Sequence, residues 1–347
     1  MPDPSPPRIL VIRRRYLGDI VLLGPLLRNL RLHWPQSRLT VLTEERFAGI
    51  LPLNPDVDEA LPYSARGLMS ELAFWRGLRR KKFTHVFDLD CNDRSALFTW
   101  FSRAPVRSVL QIRSRFGWVY THRARVDRSA YENQHITETM LGLLAAQQIP
   151  AIAHEAVLVP REEDLAEMRR FVGATGPVLL VHPGSRSAFR LWPAENFAAV
   201  CDRAQEELGA QVVLTAGPGE MKLVAEIRRR ARSHLLALAE PLPLPRFAAL
   251  ARLSAALLCH DSGPMHVAAA VGTPVVALFG SQSAVMWRPL GPGHAVLQPP
   301  LPCTACVAPD KCVPGDSYQN YCVRNIAPDA VFAALRARLA ASSAPPP

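Results

Sequence analysis

The sequence predicts an α/β protein made of two successive nucleotide-fold domains, and three observations predict it. Continuous apolar runs of strand length, such as Arg8–Arg13 (RILVIR) and Val178–His182 (VLLVH), alternate with amphipathic stretches of helix length. That alternation is the pattern of a parallel sheet covered on both faces. The pattern starts twice, once near Arg8 and again near Val178. A chain of 347 residues, 49% hydrophobic and 20% charged, is globular and too long for one ordinary core.

Residues 1–7 read as a disordered, proline-rich lead. Strand Arg8–Arg13 comes next, and Gly18-Asp19 opens a helix expected from Ile20 to His33, closed by Pro35. Leu39–Thr43 and His85–Leu89 are the next strands, the latter preceded by a helix ending in Arg79, Arg80, Lys81 and Lys82, where positive charge suits the dipole. The stretch from Arg94 to Arg128 is less regular, and His135–Gln148 returns to helix. A change of texture between Arg161 and Gly176 places the linker there, giving domains over residues 8–170 and 177–328. The second domain runs strand Val178–His182, helix Pro193–Leu208, strand Gln211–Thr215, helix Glu220–Ala231 and strand Leu235–Leu238. A proline-broken stretch, a helix, a strand ending at Cys259, a turn, a small-residue helix and strand Pro274–Phe279 complete it. A final helix over residues 329–340 is expected to pack back on the first domain, before a disordered tail at 341–347.

Ligands of open parallel sheets sit beyond the carboxyl ends of the strands. Applied here, that rule collects Gly18-Asp19 from the first domain, and His182-Pro183-Gly184-Ser185, Gly217–Glu220 and Asp261–His266 from the second. Across a cleft these groups bring one carboxylate near an anion site, a geometry suited to moving a group from a nucleotide diphosphate to a hydroxyl. In the segment LCHDSGPMH, Ser262 can cap the following helix or donate to a phosphate, Gly263 admits a ligand to the backbone, and Pro264 gives up an N–H the helix cannot use. Asp19 fits two roles, a helix N-cap contributing about 1 kcal/mol or a general base contributing roughly 10²–10⁴ in rate. Arg190 could neutralise a departing diphosphate, Trp192 fits packing, and Glu220 stands where such folds hold a ribose or simply suits the first turn of a helix.

Both halves of the chain share the net charge of +10, but the sharper signal is local. Arg94, Arg103, Arg107, Arg113, Arg115, Arg123, Arg125 and Arg128 share their window with one acid, Asp127, which points to an anionic partner or to a solvated face. The candidates for that partner are nucleic acid, anionic lipid headgroups and a phosphorylated or carboxylated acceptor. No signal peptide and no run near the ~20 residues of a membrane span is evident, so a cytosolic protein is expected. Cys91, Cys201 and Cys259 fit free thiols. Cys303, Cys306, Cys312 and Cys322, spaced C-x2-C-x5-C-x9-C, leave a structural zinc, reduced thiols and a redox-sensitive disulfide open. No GxGxxG follows either first strand, and no P-loop, HExxH or G-x-S-x-G occurs.

Taken together, RILVIRRRYLGDIVLLGPLLRNLRLHWPQSRLTVLT, VHPGSRSAFRLWP and DSGPMHVAAAVGTPVVALFG resemble the ADP-heptose:lipopolysaccharide heptosyltransferases and their glycosyltransferase family, over roughly Arg8–Leu339. The resemblance implies a GT-B fold with two Rossmann-like domains facing a central cleft, acceptor domain first and ADP-sugar domain second. It implies an inverting transfer of heptose from ADP-L-glycero-D-manno-heptose to the lipopolysaccharide inner core, with no required cofactor or metal. By resemblance Asp19 is the catalytic base, Asp261 holds sugar hydroxyls, Ser262, Gly263 and His266 form the diphosphate turn, and Ser185 is the hydroxyl after the second domain's first strand. Arg190 stands where the family often has lysine, exchanging a point charge for a fork. Arg94, Arg113, Arg115 and Arg123 become candidates for the anionic acceptor. The implied partners are the sugar nucleotide and a lipid-linked acceptor at the cytoplasmic face of the inner membrane, met by a peripheral monomer with no nucleic acid. The alternatives are a relative using another sugar nucleotide or acceptor, and a non-catalytic nucleotide or nucleic-acid binding module; selective thermal stabilisation by ADP over oligonucleotides separates them.

Overall fold

The structure is a computed structural model and describes residues 6–64, 67–110, 115–125, 133–173, 176–186, 190–280, 282–299 and 322–342. The chain divides into two compact units, Met1–Val159 and Pro160–Pro347. Each unit holds a six-stranded, wholly parallel sheet, as the alternating apolar runs predict.

In the first unit the strands are β1 (Arg8–Ile12), β2 (Arg38–Glu44), β3 (Glu59–Tyr63), β4 (His85–Asp88), β5 (Val106–Val109) and β6 (His122–Arg123), in the order β3-β2-β1-β4-β5-β6. Ile9, Leu10, Val11 and Ile12 are all fully buried, because helices cover both faces of the central strand. The single helix expected over Ile20–His33 is two, α1 (Leu17–Val21) and α2 (Gly24–His33). Pro25 explains the break: it has no N–H for the carbonyl of Val21, and its ring crowds that carbonyl. The unit also contains α3 (Glu45–Ala48), α4 (Leu68–Arg80), α5 (Asp93–Ser102) and α6 (Ile136–Ala145).

The second unit opens with α7 (Glu162–Val172), so the division between units falls before the stretch read as a linker. The charged texture of that stretch is the solvent face of a helix. Its other face buries Met168 and Val172, and Glu167 pairs with Arg246 of α10 (Leu244–Arg252) at 2.9 Å. The strands are β7 (Val178–His182), β8 (Gln211–Leu214), β9 (Leu236–Ala237), β10 (Ala256–His260), β11 (Val275–Leu278) and β12 (Ala295–Leu297), in the order β12-β11-β10-β7-β8-β9. The remaining helices are α8 (Ala194–Leu208), α9 (Met221–Arg230), α11 (Gly263–Ala270), α12 (Ala284–Trp287) and α13 (Pro328–Ser342).

Helix α13 corrects the expectation that the C-terminal helix returns to the first domain. Val331, Leu335 and Leu339 join the core of the second unit beside Trp192 and Phe197. Arg203 of α8 pairs with Asp329 at 2.7 Å, and its guanidinium lies 3.9 Å from the centroid of the Phe332 ring. The ordered chain also extends further at both ends than expected. The carbonyl of Pro7 accepts from Arg38 N at 2.8 Å, and α13 runs to Ser342. Residues 1–5 and 343–347 lie outside the described residues.

Candidate functional site

Both sheets reverse their strand order between the first strand and the fourth, between β1 and β4 and between β7 and β10. Outside the carboxyl ends of those pairs, chains leaving in opposite directions open a crevice. Asp19 follows β1 at the first of these places, and Ser185 and Asp261 follow β7 and β10 at the second.

In the first unit, β1 runs into α1, and Asp19 is the third residue of that helix, so the N-cap, one of its two readings from the sequence, falls to Tyr16. Its carboxylate accepts from Tyr16 N at 3.1 Å, which supplies part of a capping arrangement, and is paired with the Arg13 guanidinium. Arg13 also donates to the carbonyl of Leu89, just beyond β4, at 2.6 Å, so the carboxylate is fixed to both central strands. Burial works against the charge of Arg13, but Asp19 and Asp90 outweigh it and raise its pKa. The next residue, Arg14, pairs with Asp90 at 2.6 Å.

Underneath lies Asp88, wholly buried at the end of β4. Burial pushes its carboxyl up to about 6, against the opposing pull of the Tyr120 hydroxyl and the backbone N–H of Cys91. It accepts from Asp90 N at 2.9 Å and Cys91 N at 3.2 Å, which sets the turn presenting Asp90 to Arg14. Sequence reasoning missed Arg13, Arg14, Asp88 and Tyr120. A carboxylate closing an apolar strand was the one available signal.

The acceptor candidates are spread over this unit. Arg94, in the first turn of α5, donates to the Tyr63 hydroxyl and to Glu71 at 3.1 Å. Arg115 pairs with Asp93 at 3.2 Å, and Arg123 on β6 donates to the carbonyl of Gly117 at 2.9 Å. Arg113 lies outside the described residues.

In the second unit, β10 ends at His260, and Asp261, Ser262 and α11 follow. Ser262 is the N-cap residue of α11, but its hydroxyl turns back to the His260 carbonyl at 3.1 Å and does not cap the helix. The first turn therefore keeps its amides and its partial positive charge for a ligand, with Gly263 and Pro264 at its opening. His266 is buried within the same helix. Arg190 pairs with Asp261 at 3.0 Å, so two residues predicted separately from the sequence are joined.

The loop carrying Arg190 is held from below. Trp192 N donates to His260 Nε2 at 2.8 Å, and the indole N–H donates to the Ile326 carbonyl at 3.0 Å. Full burial pushes the His260 imidazole down to about 3, so it stays neutral and accepts from Trp192 N.

Ser185 lies half-buried just past β7, directly after Gly184. Glu220 is the N-cap residue of α9, and its carboxylate turns inward to Gly217 N at 2.7 Å and His182 Nε2 at 3.4 Å. Burial opposes its charge, but these partners win and lower its pKa. Gly184 makes room for that arrangement. A Cβ there would stand 1.8 Å from Glu220 Oε2 and 2.1 Å from its Cδ. Gly184→Ala is therefore expected to expel the carboxylate and destabilise the second unit by about 1–3 kcal/mol, the cost of breaking charge-assisted hydrogen bonds. In a Glu220→Ala background the same substitution is expected to cost far less, and a double-mutant cycle in denaturant reads the difference. Equal costs in both backgrounds would refute the assignment.

Of the C-terminal cysteines, Cys303, Cys306 and Cys312 lie outside the described residues, and Cys322 opens a short 3-10 turn, Cys322–Asn325. Among the described residues no group of three His, Cys, Asp or Glu side chains is placed to hold a metal ion.

Comparison with known proteins gives this geometry a family. The family model of glycosyltransferase family 9 (heptosyltransferase) matches residues 71–314. Lipopolysaccharide heptosyltransferase 3 of Escherichia coli (strain K12) is 29% identical over 294 residues, 79% of this chain and 83% of that protein. Among solved structures, a glycosyl transferase family 9 protein from Veillonella parvula superposes with a TM-score of 0.87 at 24% identity, covering 98% of this chain and 99% of that one. The E. coli ADP-heptose lps heptosyltransferase II gives 0.81 at 24% identity, covering 97% and 100%. At such identities the solved structures establish the shared GT-B fold. The family match spans well over half the chain and bears out the resemblance read from the sequence: the chain belongs to glycosyltransferase family 9, the heptosyltransferase family, and is a glycosyltransferase.

Proposed function

We propose that the enzyme transfers heptose from ADP-L-glycero-D-manno-heptose to the lipopolysaccharide inner core with inversion at the anomeric carbon. The observation that carries this reading is the pairing of chemistries at the two switch points. One has a fixed carboxylate, Asp19; the other has a helix N-terminus with the Arg190–Asp261 pair. The names of its relatives, which pair heptose transfer with lipopolysaccharide, support the choice of donor and acceptor.

On this reading Asp19 accepts the proton of the acceptor hydroxyl as its oxygen attacks the anomeric carbon. The bond between that carbon and the β-phosphate oxygen breaks, and ADP leaves with the electron pair. Arg190, Ser185 and the amides of α11 at Ser262 and Gly263 stabilise the charge that develops on the diphosphate. Asp261 holds hydroxyls of the sugar, His266 supports the diphosphate turn, and Glu220, whose carboxylate is already bonded to Gly217 N, offers its remaining acceptor capacity to the ribose. The first unit (Met1–Val159) takes the acceptor, and Arg94, Arg113, Arg115 and Arg123 meet its phosphates and carboxylates. No step is assigned to a metal. The enzyme works as a peripheral monomer at the cytoplasmic face of the inner membrane; no helix among the described residues is long and apolar enough to cross one.

The test is transfer onto defined, truncated core acceptors from a panel of sugar nucleotides. The expected result is a product heavier by one heptose, formed from ADP-heptose, with the opposite anomeric configuration to the donor. Transfer from another sugar nucleotide but not from ADP-heptose would overturn the reading.

A further inference from the structure

One surface of the first unit carries two indoles that no step of the transfer uses. Trp100, near the end of α5, and Trp118, in the short turn Gly117–Val119, lie against each other in open solvent. Their ring centroids are 4.9 Å apart at 69°, and they are 47% and 60% exposed. Single exposed apolar residues are ordinary, but two touching indoles leave a contiguous patch of the largest apolar side chain in water.

The patch stands on a firm base. Val119 and Tyr120, which follow Trp118, are buried with Ala96 of α5 and Val109 of β5. The Arg107 guanidinium ties the two carriers together, donating to the carbonyl of Ala104 just after α5 at 2.6 Å and to the carbonyl of Val119. The indoles are thus held outward by a packed platform.

Its charge is one-sided. Between Arg94 and Arg125 the sequence has no Asp or Glu, and Arg103, three residues after Trp100, is exposed, as are Arg115 and Arg123, which the acceptor reading already uses. Asp93 is the nearest acid in sequence, and it is paired with Arg115. Indoles beside arginines are the composition that settles at the boundary between anionic headgroups and acyl chains: the ring suits the half-polar interface and the guanidinium suits the phosphate. Single-stranded nucleic acid would also meet aromatic rings and arginines. However, the two rings contact each other edge to face, which leaves no open pair of parallel faces for successive bases.

We propose that the Trp100–Trp118 patch, with Arg103 beside it, docks the first unit on an anionic lipid bilayer. This rests on the reading that the acceptor is lipid-linked. It names a surface outside the transfer site, one that holds the enzyme where such an acceptor lies. Helix α5 connects the two places. It starts beside Asn92, which accepts from Arg14 at 3.4 Å, and carries Trp100 eight residues on, about 12 Å along its axis.

The test is co-sedimentation of the full chain with vesicles of phosphatidylethanolamine and phosphatidylglycerol, with phosphatidylcholine vesicles as reference. The expected result is binding to the anionic vesicles that weakens with salt. The double substitution Trp100→Ser, Trp118→Ser is expected to lower it by about tenfold or more while transfer onto a water-soluble, lipid-free core acceptor is unchanged. Brominated acyl chains give a second measurement on the unaltered protein, quenching part of its tryptophan emission. Equal binding to phosphatidylcholine, full binding by the double variant, no quenching, or capture by oligonucleotides in preference to vesicles would each overturn the proposal. So would loss of transfer onto the soluble acceptor by the folded double variant, because the patch would then belong to the acceptor site. Failure of ADP-heptose as donor would sink the functional reading and leave the vesicle result standing.

Discussion

Asp19→Asn is expected to lower turnover by about 10²–10⁴, the worth of a positioned general base, while ADP binds as before. The substitution is close to isosteric, and the amide oxygen can still accept from Tyr16 N, so the first turn of α1 keeps its backbone partner. What it loses is the basic oxygen and the pairing with Arg13. Arg13 remains anchored to the Leu89 carbonyl, which confines the disturbance to the site. The expected signature is a fall in kcat with calorimetric ADP affinity retained, measured below the variant's melting temperature. Transfer above about a tenth of the wild-type rate would remove Asp19 from the role of base.

Trp192→Ala is expected to cost about 3–5 kcal/mol, the range for deleting a buried aromatic side chain. Trp192 is 1% exposed, edge-on to Phe197 with ring centroids 5.0 Å apart, and donates to the Ile326 carbonyl. The substitution opens a cavity and strips that carbonyl of a partner two residues before α13 begins. A loss of this size is a large part of the ~5–15 kcal/mol that ordinary domains possess. The denaturation midpoint is expected to fall, and amide exchange across residues 328–342 to quicken, because α13 loses the tie that anchors its start. Trp192→Phe keeps most of the volume but not the donor, and is expected to cost about 1–2 kcal/mol. An alanine variant that loses less than about 1 kcal/mol would show that the site collapses without harm.

The strands that were legible are mostly those buried on both faces; β9, a sheet edge of two half-buried residues, was read as well. β1, β2, β4, β7, β8, β10 and β11 read as largely apolar runs because little on them beyond their end residues meets water. β3, β5, β6 and β12 were not seen. All but β5 form sheet edges, and the residues of the four are mostly half-exposed, so neither a run nor a clean alternation marks them. The same logic divides the site. Asp19 and Asp261 follow the ends of legible strands, and Arg190 follows soon after one, so the carboxyl-end rule reaches them. Arg13 and His260 were within view as neighbours of those residues. Their work rests on partners far along the chain, Leu89 and Trp192, and no local pattern carries such a pairing. The inward turn of Glu220 depends on the absence of a Cβ at Gly184, 36 residues before it, a steric fact invisible until the loops are placed.

The Arg190–Asp261 pair bears on how the catalytic cycle resets. On the proposed reading, the guanidinium must exchange a carboxylate for a diphosphate when the donor enters, so part of the donor's attraction is offset by breaking a contact the protein already has. The exchange runs the other way when ADP departs. A cation that lost its only counter-charge would hold the product back. On that reading the carboxylate of Asp261 takes the place of the leaving phosphate, the protein itself competes with ADP for Arg190, and the pair trades some tightness of capture for ease of release.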